Sequence, residues 1–219
     1  MTDRSHSSSN EGDTLTSNTE LMAGALQRGG VLMIAPRDEP FILKSGRESW
    51  FFFNFGNLCD PEQLEIVAGC YVDKILELGP QNFDFIFGPA YKGIPLAAVI
   101  SLLLYTEHGI KLPFSYNRKE EKTHGETGLI VGYQPKLGDR ALIIDDVVTT
   151  GGAKSGAKEI LEPFGVIFAV VLVGVDRSQP GALEELEALL GAKIVAITTH
   201  EALKEYVDYP DYVKDSPGF

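Results

Sequence analysis

Two adjacent carboxylates, Asp145 and Asp146, stand directly after the apolar run "ALII" at 141–144. After them come Val147, Val148, Thr149, Thr150, Gly151, Gly152 and Ala153, and then a helix-like stretch to residue 161. The order predicts a buried strand that ends where Asp145 begins, then a small-residue turn into a helix. A helix N-terminus offers unpaired N–H groups and the positive end of a dipole, which suits a phosphate. Threonine hydroxyls add donors, and glycines let the backbone come close to a ligand. Two carboxylates side by side repel a phosphate, so their partner is neutral hydroxyls or a metal ion. A ribose 5-phosphate joins both requirements in one ligand. Other phosphate motifs fit worse: "GGAKSGAK" lacks the lysine that a P-loop carries directly after its second glycine position, and the dinucleotide fingerprint GxGxxG is absent here. The bland reading is two solvated aspartates before a Ser/Thr cap. It accounts for the aspartate pair alone, but not for the full order of strand, carboxylates, small residues and helix.

An anionic ligand also needs cations, and the chain is acidic, with a net charge of −12. That balance argues against nucleic acid as a general partner but leaves room for a local basic pocket. Arg118, Lys119, Lys122 and His124 fall within the seven residues 118–124, "RKEEKTH". As a bare charge run this is a solvated loop, since its glutamates cancel much of its charge. The fuller stretch "NRKEEKTHGETG" (117–128) is long, contains glycine and follows a core strand, which fits a mobile lid. In "GPAYKG" (88–93), Gly88 and Pro89 break a strand and let Lys92, next to Tyr91, reach an anion; the plain alternative is a strand-to-helix turn with an exposed lysine. Arg177 follows the apolar strand "VIFAVVLVGVD", where it is either an ion pair for Asp176 or a fork for a ligand carboxylate. Lys44 precedes an aromatic row that includes Phe52 and Phe53; such rows are usually core. His6, His108 and His200 have no evident role; the last would cap or cover the final helix.

The elements that must position these residues form a simple pattern. From residue 83, short apolar strands alternate with helices: "FDFIFG", "GIPLAAVISLLLYTEHG", "KLPFSYN", "ALIIDDV", "GGAKSGAKEILEPFG", "VIFAVVLVGVD", "GALEELEALLG", "KIVAITT" and "HEALKEYV". This predicts an α/β fold, a parallel sheet with helices on both faces and its ligands beyond the strands' C-terminal ends. The first eighty residues read as a helix, short strands and an amphipathic helix. The expected division is a disordered tail over 1–15, an N-terminal region over 16–80 and a core over 81–210. Cys59 and Cys70 lie eleven positions apart without a CxxC pattern, which argues against disulfides or zinc and for a reducing cytoplasm. The N-terminal stretch lacks a signal peptide's charged and apolar regions, and no apolar run is long enough to span a membrane.

The 141–161 segment resembles the phosphoribosyl diphosphate (PRPP) signature of the type I phosphoribosyltransferases. "FILKSGRESWFFFNFG" (41–56), "FGPAYKGIPLA" (87–97), "FSYNRKEEKTHGETGLIVG" (114–132) and "VGVDRSQPG" (173–181) follow the order and spacing of the orotate phosphoribosyltransferase family, its bacterial members above all, over about residues 20–207. The resemblance implies a type I phosphoribosyltransferase core with a small N-terminal hood over the base. It implies transfer of phosphoribosyl from PRPP to orotate in pyrimidine biosynthesis, with Mg2+ held mainly through PRPP rather than by direct protein ligands. PRPP would be held by Lys44, Tyr91, Lys92, Arg118, Lys119, Lys122, His124, Asp145, Asp146 and the run Val147, Val148, Thr149, Thr150, Gly151, Gly152 and Ala153. Orotate would be held by Lys44, Phe52, Phe53, Thr149 and Arg177. The catalytic group would be Lys122, His124, Asp145 and Asp146. The family often has Ser-Pro before the hood aromatics, whereas this chain has Ser49-Trp50. A homodimer with a shared lid is implied as well. Two alternatives stay open: a phosphoribosyltransferase for another base, and a PRPP-binding regulator without turnover.

Overall fold

The computed structural model describes residues 17–43, 46, 48–122, 128–149 and 152–216, and the side chains at 121, 122 and 152–155 are outside that description. The tail expected over 1–15 also lies outside it.

The N-terminal region begins with α1 (Asn18–Arg28), started by Ser17, whose side chain accepts the Glu20 N–H. Short strands β1 (Leu32–Ile34), β2 (Phe41–Ile42), β3 (Glu48–Ser49) and β4 (Phe51–Phe53) form two small antiparallel pairs, β1 with β4 and β2 with β3. Then α2 (Pro61–Leu78) starts on the Asp60 carboxylate, with proline in its first turn, where a missing N–H costs nothing.

The main sheet comprises β5 (Phe85–Gly88), β6 (Phe114–Lys122), β7 (Gly128–Gly132), β8 (Arg140–Val148), β9 (Ile167–Asp176) and β10 (Lys193–Thr199). Helices α3 (Gly93–His108), α4 (Gly152–Leu161) and α5 (Ala182–Leu190) connect them, and α6 (His200–Leu203) and α7 (Asp211–Lys214) close the chain. Strand order is β10-β9-β8-β5-β6-β7, parallel throughout except for the antiparallel β6–β7 pair. From β5 the chain goes to one side through α3 and returns on the other side at β8. The order therefore reverses between β5 and β8, where open α/β sheets hold their ligands.

Both sheet faces are covered. Along β8, Leu142 and Ile144 join the core made with α1, α2 and α3, while Ala141 and Ile143 join the core made with α4 and α5. The first of these cores also takes in Phe51, Phe53 and Phe55, so one continuous apolar cluster ties the N-terminal region to the sheet.

Three expectations need correction. The strand does not end at Asp145: β8 runs on to Val148, because β9 supplies ladder partners up to Val148↔Asp176. The segment expected as a lid loop is strand as far as Lys122, since β7 pairs with β6 from Ser115↔Gly132 to Lys122↔Gly128 with a register shift between Asn117 and Lys122. The helix expected over "HEALKEYV" is α6, four residues long rather than eight, with Thr199 as its cap.

Candidate active site

The site grows from an imbalance in the ladders of β8. On the β5 side, pairing stops at Phe87↔Ile143; on the β9 side it continues to Val148↔Asp176. The last residues of β8 therefore face the turn at 89–92 instead of a strand. Gly88 and Gly93 make that turn tight: a Cβ on Gly93 would stand 2.8 Å from the Ile144 carbonyl oxygen and 2.9 Å from the Gly88 carbonyl carbon. Bringing α3 this close sets Lys92 beside the end of β8.

Lys92 Nζ lies 3.0 Å from Asp146 Oδ2. Asp145 and Asp146 are buried, at 5% and 8% exposure, rather than solvated. Buried carboxylates need hydrogen bonds, and each finds one locally. Asp145 Oδ1 accepts the Asp146 N–H over 2.9 Å, and Asp146 Oδ1 accepts the Val147 N–H over 2.8 Å. From below, the Tyr71 hydroxyl donates to the Asp145 carbonyl over 2.7 Å, next to Gly174, where a Cβ would stand 2.8 Å from that hydroxyl. Burial, then the charges of Asp146 and Asp145, push the Tyr71 phenol far above its ordinary range, so it remains a donor.

The turn itself is fixed by Asn117, whose Oδ1 accepts the Ala90 N–H over 2.9 Å, and the Ala90–Tyr91 peptide is cis. Tyr91 is largely exposed, with Lys119 Nζ 4.5 Å from its ring centroid. Arg118 Nη1 donates to the Gly128 carbonyl across the hairpin. Val148 is fully buried, Val147 half-buried and Thr149 exposed, so the valines offer backbone rather than side chains. Gly152 and Ala153 open α4. Lys44, His124, Thr150 and Gly151 lie outside the described residues, as does the side chain of Lys122.

At the end of β9, the Arg177 N–H donates to the Val148 carbonyl over 2.9 Å. Its guanidinium carbon stands 4.5 Å from the ring centroid of Phe51 and 5.4 Å from that of Phe53. The aromatic pair expected at the base site, Phe52 and Phe53, is separated by strand alternation. Phe53 is buried with Phe51, while Phe52 points the other way, 36% exposed, its ring 6.0 Å from Phe41. Trp50 donates its indole N–H to the Arg37 carbonyl.

Sequence reasoning gave Tyr71, Asn117, Phe51 and His200 no place at the site. Tyr71 alone carried a faint signal, as a polar-tipped aromatic on the buried stripe of an amphipathic helix. Two cavities lie elsewhere; one, of about 380 Å³, sits at the opposite end of the sheet near Val166, Ile167 and Gly191.

Residues 56–201 match the family model described as "Phosphoribosyl transferase domain". Over 173 residues the chain is 39% identical to the orotate phosphoribosyltransferase of Salmonella agona, covering 77% of this chain and 80% of that protein. The chain belongs to the orotate phosphoribosyltransferase family. Among solved structures it is similar to the family's Francisella tularensis member, at 30% identity and a TM-score of 0.70 over 87% of this chain and 93% of that one. It is also similar to the Aeropyrum pernix member, at 30% identity and a TM-score of 0.65 over 84% and 96% of the two chains. The mixed α/β core is that of the family, and the Lys92–Asp146 pair lies at the reversal between β5 and β8.

Proposed function

We propose that this chain transfers the phosphoribosyl group of PRPP to orotate, giving orotidine 5′-monophosphate and diphosphate in pyrimidine biosynthesis. Its membership in the orotate phosphoribosyltransferase family supports the reaction. The observation that carries the site is the meeting of Lys92 with Asp146 at the strand reversal.

In this reading, the anomeric carbon loses diphosphate with its bonding electrons and gains the bond to orotate N1, through an oxocarbenium-like transition state. Little covalent chemistry falls to the protein, which must position the reactants, neutralise the leaving group and exclude water. Asp145 and Asp146 face the ribose hydroxyls and favour the positive ring as it develops. Thr149, Thr150, Gly151, Gly152 and Ala153 cradle the 5-phosphate, and Lys92 moves from Asp146 to the diphosphate. Arg118, Lys119, Lys122 and His124 close over that diphosphate from the hairpin. Arg177 and Thr149 receive the orotate carboxylate, with Lys44 and the β4 strand over the base.

Magnesium fits this donor set as an ion that arrives with the substrate. Asp145 and Asp146 offer hard oxygens, but among the described residues no group of three or more His, Cys, Asp or Glu forms a cage. Magnesium commonly keeps waters and substrate oxygens around one or two carboxylates. When bound, it would spread the negative charge of diphosphate. A homodimer is supported by α3, which is apolar on nearly every side yet leaves Leu102 58% and Tyr105 54% exposed. The lid would then be shared between subunits. A cytoplasmic location is supported by the two free cysteines, Cys59 and Cys70; among the described residues no helix is long and apolar enough to cross a membrane.

The test is an absorbance assay with PRPP and magnesium, following loss of orotate, with uracil and hypoxanthine in parallel. Loss of orotate alone supports the reading. PRPP binding by calorimetry without turnover of any base replaces it with a regulator.

A further inference from the structure

Arg177 does not stand alone at the end of β9. Its guanidinium carbon lies 4.5 Å from the Phe51 centroid, and the same Phe51 ring stacks on His200, with centroids 4.1 Å apart and planes 18° apart. Phe53 meets His200 edge-on at 6.2 Å, and Tyr209 meets it edge-on at 6.3 Å. All four rings are buried, His200 at 7% and the others at 5% or less. They come from β4, the start of α6 and the segment before α7, three places far apart in sequence.

Contact with a ring face limits how a guanidinium can turn about its N–H edge. A planar carboxylate is recognised through that edge, two parallel hydrogen bonds at once. An arginine free to rotate must first be ordered; one already stacked loses less on binding. His200 suits this task because it is neutral: burial, then the charges of Arg177 and Lys204, bring its pKa down to about 4, against a smaller raising effect of Glu201. An imidazole ring that carries no charge lies beside the Arg177 cation without repelling it.

We propose that Phe51 and His200 are positioning residues that hold the Arg177 guanidinium in the plane of the base carboxylate, and so set the preference for an orotate ring over one that lacks the carboxylate. The inference rests on the proposed role of Arg177 and assigns the aim of that arginine to the ring stack behind it.

The test compares binding of two nucleotides, the product orotidine 5′-monophosphate and its decarboxylated counterpart uridine 5′-monophosphate, by calorimetry with full-length protein. They differ only by the carboxylate. His200→Leu removes the stack, and His200→Phe keeps a neutral ring in its place. The expected result is about tenfold weaker binding of the orotidine nucleotide to His200→Leu, with the uridine nucleotide within about twofold, and near-normal binding of both to His200→Phe. In an Arg177→Ala background the effect of His200→Leu vanishes, because the two act through one contact. Equal weakening of both nucleotides, a His200→Phe as impaired as His200→Leu, or a full His200→Leu effect without Arg177 each overturns the proposal. If either His200 variant fails to fold, Phe51→Leu in the same assay supplies the comparison, with the same outcomes. Should Arg177→Ala bind both nucleotides as the unaltered protein does, the fault lies instead in the role given to Arg177.

Discussion

Tyr71 on α2 donates its hydroxyl proton to the main-chain carbonyl of Asp145 over 2.7 Å, across 74 residues of sequence. The bond ties the helix of the N-terminal region to the one stretch of β8 that has a ladder partner on a single side. A strand end without a second neighbour is free to shift, and the two carboxylates would shift with it. Tyr71 therefore does for Asp145 what β5 does for Ile143.

Tyr71→Phe removes that donor without opening a cavity. Loss of a buried hydrogen bond of this kind costs about 1–3 kcal/mol. Denaturant unfolding should show the loss, and the KM for PRPP should rise more than that for orotate. Unchanged stability together with an unchanged KM for PRPP would remove Tyr71 from the site.

Lys92→Met keeps most of the stem and removes the charge. Because the lysine end is 42% exposed, stability should move by less than about 1 kcal/mol. The kcat/KM for PRPP should fall on the order of a hundredfold, the scale of losing one group that stabilises developing charge. Steady-state kinetics with varied PRPP reads this directly, and a fall below threefold would mean that Lys92 does no more than pair with Asp146.

Gly93→Ala forces a methyl to within 2.8 Å of the Ile144 carbonyl oxygen and 2.9 Å of Pro89 Cδ. The turn that carries Lys92 must then move away from β8. Overpacking of this kind costs about 1–3 kcal/mol. Both the unfolding midpoint and PRPP affinity should drop together, and retention of both would show the turn to be softer than its packing implies.

His200 gives a pH dependence whose sign follows from its depressed pKa of about 4, below its ordinary 6.5. The unfolded chain takes up the proton first, so the His200 contribution favours folding least at low pH and is restored as pH rises above 6.5. The groups that set it are Arg177, Lys204 and Glu201. His200→Phe should therefore gain on the unaltered protein as pH falls from 6.5 to 4, by up to about 3 kcal/mol. Paired denaturant curves across that range measure it, and parallel curves would mean that the imidazole is accessible to protons when folded.

Much of the fold was legible because it is local. The 2-residue and 3.6-residue periods of the apolar pattern depend on near neighbours in the chain, and so do caps such as Asp60 and Ser17. The order of apolar strand, paired aspartates, small-residue turn and helix led to the expectation of a phosphate-and-hydroxyl site, and four further motifs narrowed the chain to one family. What periodicity does not encode is which strands become neighbours. Residues 118–122 looked like a charged loop because their side chains are polar; only pairing with β7 makes them strand. How deep Asp145 and Asp146 lie was hidden for the same reason, and β9 and Tyr71 bury them.

The sequence by itself determined the alternation of strands and helices, the residue types at the strand ends and the kind of ligand they suit. Tertiary structure alone decided the reversal between β5 and β8, which sets Lys92 3.0 Å from Asp146, and the packing that lays Arg177 on Phe51 beside His200. The physical reason is distance along the chain. Hydrogen bonds within a helix or turn join residues a few positions apart, so local sequence specifies them. The contacts at this site join residues tens of positions apart, and only the filling of two apolar cores around one sheet brings them together.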